Sequence, residues 1–206
     1  MQQVYSNDSP INDIVLSHGE GELIACDESG RIMIYDLVAS KVRQMVLPHL
    51  SAEIGFRSMC VSNLSKECDV KYLCASDSSG GVFVYKINEQ GDLNLFSKFQ
   101  AHNDYILKCA ISNNSRKFAT CSADKTVKIY DVDVDKGFNF SRSLIGHTKW
   151  VWDCEFIMDS ETLITVSTDT YLKVWDLNSG IMRKNSTQHG KGVICLALND
   201  RQVEEN

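Results

Sequence analysis

The chain of 206 residues contains no run of Lys or Arg longer than two. It also has no window near the roughly 18 consecutive apolar residues that a membrane span requires. The first absence removes the electrostatic footprint of a nucleic-acid or anionic-lipid binder, so no nucleic-acid partner is expected. The second leaves direct membrane insertion unsupported, and the start, MQQVYSNDSP, lacks the basic patch and apolar stretch of a secretory leader. A cytoplasmic location is therefore expected. Cations are the minority charge, 21 Lys and Arg against 27 Asp and Glu for a formal net charge of -6, which favours protein partners. No two of the eight cysteines stand as CxxC, and without a leader they read as free thiols rather than a disulfide framework.

What is present is repetition. From Gly146 to Asp176 the chain reads GHTKWVWDCEFIMDSETLITVSTDTYLKVWD. Three runs rich in β-branched and aromatic residues, VWDCEFI, TLITVST and YLKVWDL, are separated by Asp, Ser and Thr clusters that read as turns. Gly-His at one end and Trp-Asp at the other mark the unit as a WD repeat of a β-propeller. Its polar residues are spaced to form one closed network of His147, Thr165, Asp169 and Trp175. A buried polar group without a partner costs about 1 to 3 kcal/mol, so a complete network stiffens a blade and a partial one weakens it.

The same offsets recur upstream. AHNDYILKCAIS, KFATCSA and TVKIYDV supply His102, Thr120, Asp124 and Tyr130, with Tyr in the place of Trp and still expected to donate. A first triplet, INDIVLS, ELIACDE and RIMIYDL, lacks the network: Asn7 stands for the His and Ser29 for the turn Asp, with Asp27 as a substitute. A second triplet, GFRSMCVS, YLCASDS and GVFVYKI, follows Val42 to Pro48 as an outer strand and has its first turn stretched by SKECDVK. Met1 to Tyr5 reads as an isolated outer strand and GVICLALND as an isolated inner one. The expected fold is thus all-β, a WD-repeat propeller over residues 1–200 with blades near 6–50, 51–100, 101–145 and 146–188. A final inner strand at 192–199 and a charged tail at 201–206 complete it. Four blades are few for a closed ring, so sequence ahead of Met1 is expected. Cys60, Cys109, Cys154 and Cys195 are assigned to one small-residue slot of successive repeats and to the core.

The combination of ILKCAISNNSRKFATCSADKTVKIYDV, GHTKWVWDCEF and GVICLALND, with SPINDIVLSHGEGELIACDESGRIMIYDL before them, resembles the C-terminal part of the G-protein-beta-subunit-like WD proteins of target of rapamycin kinase complexes. That resemblance covers Val4 to Asp200. It implies a seven-bladed propeller without catalysis of its own or any cofactor. It further implies a scaffold that docks on a large protein kinase, joins its complex subunits, acts in signalling of growth and cytoskeleton organisation, and reaches endomembranes through the complex. Alternation along the inner strands then assigns the docking surface to an aromatic rim of Phe56, Tyr105, Trp150 and Trp152, with Lys191 as a polar flank. A ubiquitin-ligase substrate receptor, or another generic protein-interaction propeller, is the competing reading. Such adaptors carry Arg two residues after Trp-Asp, whereas the places here hold Val38, Asn88, Asp133 or Val132, and Asn178. An enzyme is disfavoured, because His147 and Asp169 already have network roles and nothing sets a nucleophile beside them. No metal ligands are assigned.

Overall fold

Short β-rich runs bounded by turn residues become sixteen strands in the computed structural model, which describes residues 8–17, 21–47, 54–62, 70–187 and 189–199. The first blade is β1 (Ile11–Leu16), β2 (Glu22–Asp27), β3 (Ile32–Asp36) and β4 (Lys41–Val46). The second is β5 (Phe56–Val61), β6 (Lys71–Asp77), β7 (Gly81–Ile87) and β8 (Leu93–Gln100). The third is β9 (Ile106–Ile111), β10 (Lys117–Ser122), β11 (Thr126–Asp133) and β12 (Gly137–Ile145), and the fourth β13 (Val151–Phe156), β14 (Thr162–Ser167), β15 (Leu172–Asp176) and β16 (Met182–Ser186). Each blade is an antiparallel meander of consecutive strands. Lys41–Val46 accordingly pairs with β3 as the outer strand of the first blade. The stretches Met1 to Tyr5, Asn7, most of SKECDVK and the tail 201–206 lie outside the described residues.

Inner strands β1, β5, β9 and β13 touch in series, and the core lies between blades. Ile24, Cys26 and Ile34 of the first pack on Met59, Phe83 and Tyr85 of the second. Ala119, Val127 and Ile129 of the third pack on Cys154, Leu163 and Trp175 of the fourth. Each blade on its own is one sheet with two faces to cover, so stacking supplies the burial that a lone sheet cannot.

Every inner strand carries a bulge that pushes out one residue: Asn12, Arg57, Leu107 or Trp152. A bulge fixes the register on either side, and here it aligns Ile14, Met59, Cys109 and Cys154 in one slot. Cys60 therefore falls one residue beyond the slot assigned to it and is half-buried, while Cys109 and Cys154 are buried. The arc has an uncovered leading face. Ile11 and Ile14 are 48% and 55% exposed, whereas their counterparts Phe56, Ile106 and Val151, and Met59, Cys109 and Cys154, are at most 1% exposed.

Residues 192–199 form no strand, because no neighbour among the described residues offers them a ladder. They still lie against the fourth blade as β5 lies against the first. Val193 donates its N–H to the Ser167 carbonyl and Leu196 its N–H to Asp153, and Cys195 is exposed rather than core.

Candidate partner-binding rim

In the fourth blade the polar network is continuous. Trp175 Nε1–H donates to Thr165 Oγ1 (2.9 Å), Thr165 lies 2.8 Å from His147 Nε2, and His147 Nδ1 lies 2.8 Å from Asp169 Oδ2. One tautomer satisfies the row: a neutral imidazole that accepts from Thr165 at Nε2 and donates to Asp169 from Nδ1. Burial lowers the His147 pKa, which keeps that neutral form. Burial also works against the Asp169 carboxylate, but the N–H groups of Thr148 and Tyr171 and the imidazole outweigh it and hold its pKa below the usual range. Gly146 is small for a reason: a Cβ there would stand 3.1 Å from the Trp175 ring.

The third blade keeps His102 between Asp124 (2.7 Å) and Thr120 (2.9 Å), but Tyr130 does not donate to Thr120. A phenol carries its hydroxyl at the far end of the ring, whereas an indole N–H projects from the near edge. Tyr130 instead joins an aromatic cluster with Phe99, Phe118 and Phe140, and burial pushes its pKa up to about 12. In the first two blades Asp27 and Asp77 close the turn two residues earlier, each accepting from the N–H and hydroxyl of the serine two residues on, Ser29 and Ser79.

The rim residues follow from one repeated bond. The carbonyls of Pro10, Gly55, Tyr105 and Trp150 each accept the N–H of the residue that follows the second strand of their own blade, Glu28, Ser78, Ala123 and Thr168. These four residues are therefore equivalent, and Phe56 lies one place further on. It is fully buried against Phe83 (centroids 5.5 Å) and forms no part of any rim. A one-residue slip on a strand exchanges the two faces, and the glycine that truly holds the place is demanded by packing: a Cβ on Gly55 would meet the Glu28 carbonyl oxygen at 2.4 Å. Tyr105 and Trp150 are 43% and 44% exposed. Trp152, pushed out by the bulge, is half-buried 5.7 Å from Trp150, and its Nε1–H donates to Thr168 Oγ1 (2.6 Å). Lys191 is exposed beside Gly192.

Two sets of residues were missed from sequence. Asp13 and Asp153, one place after the bulge, use one carboxylate oxygen for the next N–H of their own strand and the other for an N–H further along the ring, Met59 and Leu196 respectively. Ser58 in the same place accepts from the Cys109 N–H, and Lys108 in the fourth case points its ammonium at Asp13, 3.9 Å away. Aligning NDI, RSM, LKC and WDC would have exposed this latch. Lys108 and Asp153 of this set, with Met59, Cys109 and Leu196, line the open central cavity of about 510 Å³, where burial raises the pKa of Asp153 and of Glu155. The second omission is Arg57, whose guanidinium stands 5.8 Å over the Tyr105 ring and pairs with Glu28 at 3.0 Å.

The family described as WD domain, G-beta repeat matches residues 93–131 and 138–176. The chain is 44% identical, over 98% of its length, to target of rapamycin complex subunit wat1 of Schizosaccharomyces pombe, and covers 63% of that protein. It is 37% identical over 95% of its length to target of rapamycin complex subunit LST8 of Saccharomyces cerevisiae, again 63% of the relative. Against LST8 of Bos taurus it is 32% identical over 63% of its length and 39% of the relative. The chain thus spans less than two thirds of these relatives. Among the described residues no helix is long and apolar enough to cross a membrane.

Proposed function

From two matches to the WD-domain model and 44% identity, over 98% of the chain, to one target of rapamycin complex subunit, we propose that this chain is a WD-repeat protein and a non-catalytic scaffold that binds and stabilises the kinase domain of a target of rapamycin complex. In this reading it works in the cytoplasm with the other complex subunits, reaches endomembranes only through them, and supports signalling to growth and cytoskeleton organisation. Docking uses the rim of Tyr105, Trp150 and Trp152, with Lys191 beside it.

The observation that carries the reading is the tryptophan pair. Trp152 is pinned by its bond to Thr168 and Trp150 leans on it with nearly half its surface in solvent. A rigid exposed aromatic loses little entropy on binding, and such residues are enriched among interface hot spots, where truncation costs about 2 kcal/mol or more. The test is co-precipitation of Trp150→Asp with a target of rapamycin kinase domain, beside thermal melting. We expect a loss of binding of roughly 30-fold or more with an unchanged melt, which is that cost expressed as an affinity. Undiminished binding by the folded variant removes the assignment.

A further inference from the structure

The rim has a charge pattern of its own. Lys149 immediately precedes Trp150 and is exposed. Lys191 is held close from the other side: Gly192 passes so near the turn that a Cβ on it would stand 2.9 Å from Thr168 Cα. That same Thr168 accepts the Trp152 indole N–H and donates its own N–H to the Trp150 carbonyl. One residue therefore gathers both tryptophans and the Lys191 segment into a single patch.

The carboxylates around the patch are already engaged. Asp169 is taken by His147 and by the N–H groups of Thr148 and Tyr171, Asp153 by the N–H groups of Cys154 and Leu196, and Asp104 by the N–H of Tyr105. Neither Lys149 nor Lys191 pairs with a carboxylate among the described residues. Arg57 over Tyr105 adds a third cation, shared with Glu28. In a chain of net charge -6, the exposed apolar patch is thus bordered by cations, of which Lys149 and Lys191 have no carboxylate partner among the described residues.

Resting on the kinase-docking reading above, we infer that the segment seated here is an apolar anchor flanked by carboxylates. Its apolar side chain packs on Trp150, and Asp or Glu on either side of it face Lys149 and Lys191. Exposed charges of this kind act at a range of about 10 Å at 0.1 M salt, so they steer encounter and set the association rate, whereas the packed aromatic sets the dissociation rate.

The experiment separates these two contributions. Binding of the 206-residue chain to an immobilised target of rapamycin kinase domain is followed in real time at low and high salt. Three proteins are compared: the parent, Trp150→Asp, and Lys149→Glu combined with Lys191→Glu. We expect the lysine reversal to slow association about ten-fold at low salt, to leave dissociation within about two-fold, and to abolish most of the salt dependence. Trp150→Asp is expected to act on dissociation. If the lysine reversal associates like the parent while Trp150→Asp fails to bind, the acidic flank is wrong and the docking rim stands. If Trp150→Asp binds like the parent, both fall. Should the reversal disturb folding, Lys149→Ala with Lys191→Ala removes the charges alone, and an association rate equal to the parent's overturns the inference in the same way.

Discussion

Asp169 ties three donors to the network with one side chain. It accepts from His147, Thr148 and Tyr171, so Asp169→Ala leaves these donors, the buried His147 among them, unpaired and is expected to cost about 1 to 3 kcal/mol in a denaturant melt. Ser29→Ala in the first blade should cost much less, because Asp27 still has the N–H of Ser29 and both donors of Arg31. Equal losses would refute the contrast. The network also carries a pH dependence. Burial lowers the pKa of His102 and His147 from the ordinary value of 6.5, so below that value the unfolded chain binds protons that the folded one refuses. Stability is then full above about pH 6.5 and declines as the pH falls beneath it. The lowered pKa of Asp124 and Asp169 adds a second loss below the ordinary carboxylate range near 3.8. Urea melts from pH 7.5 to 5 check the first decline, and imidazole signals that titrate at or above 6.5 would contradict it.

At the scale of elements, glycines at the rim report where one blade's strand crosses its neighbour's turn. Gly55 against Glu28 and Gly192 against Thr168 are the same contact at two points of the ring. Gly192→Ala is expected to weaken docking of residues 192–199 and lower the melting temperature, by roughly 1 to 3 kcal/mol of overpacking. Gly190→Ala, whose Cβ would meet nothing within 4 Å, should be near neutral. Equal melts for the two would show that the segment is not seated on the fourth blade. The outer strands show a separate device. KVRQMV, LNLFSKFQ, GFNFSRSLI and MRKNS contain Lys or Arg and no Asp or Glu, and like charges around the circumference discourage strand-to-strand pairing between molecules. How much of these elements was legible depended on register. The runs and turns are plain in the residues, but the second blade has no Gly-His to anchor it, and reading it one residue late puts Phe56 in the rim place held by Gly55 and Cys60 in the core slot held by Met59.

For the whole molecule, the leading face of the first blade dominates behaviour. Ile11 and Ile14 occupy slots that are sealed by a preceding blade at every other point in the arc. Exposed apolar surface of that kind drives association, so the 206-residue chain in isolation is expected to self-associate or bind chaperones, visible as excess light scattering. Ile11→Asp with Ile14→Asp should reduce the scattering while leaving the Asp169 network, at the other end of the arc, intact. A monodisperse parent protein would show that the face is sealed in solution.

Repetition along the chain determined a great deal unaided. The period from Tyr35 to Tyr85, Tyr130 and Trp175 follows from strand lengths and turn chemistry, which are local. The offsets that bring His147, Thr165, Asp169 and Trp175 together repeat with it. Three decisions were reserved for the tertiary structure, because each depends on atoms from elsewhere in the chain. A phenol and an indole reach differently, so Tyr130 left its Thr for an aromatic cluster. Backbone approach between blades chose Gly55 for the rim and buried Phe56. No neighbour among the described residues offers residues 192–199 a ladder, so a sequence that alternates like a strand lies beside Asp153 without becoming one.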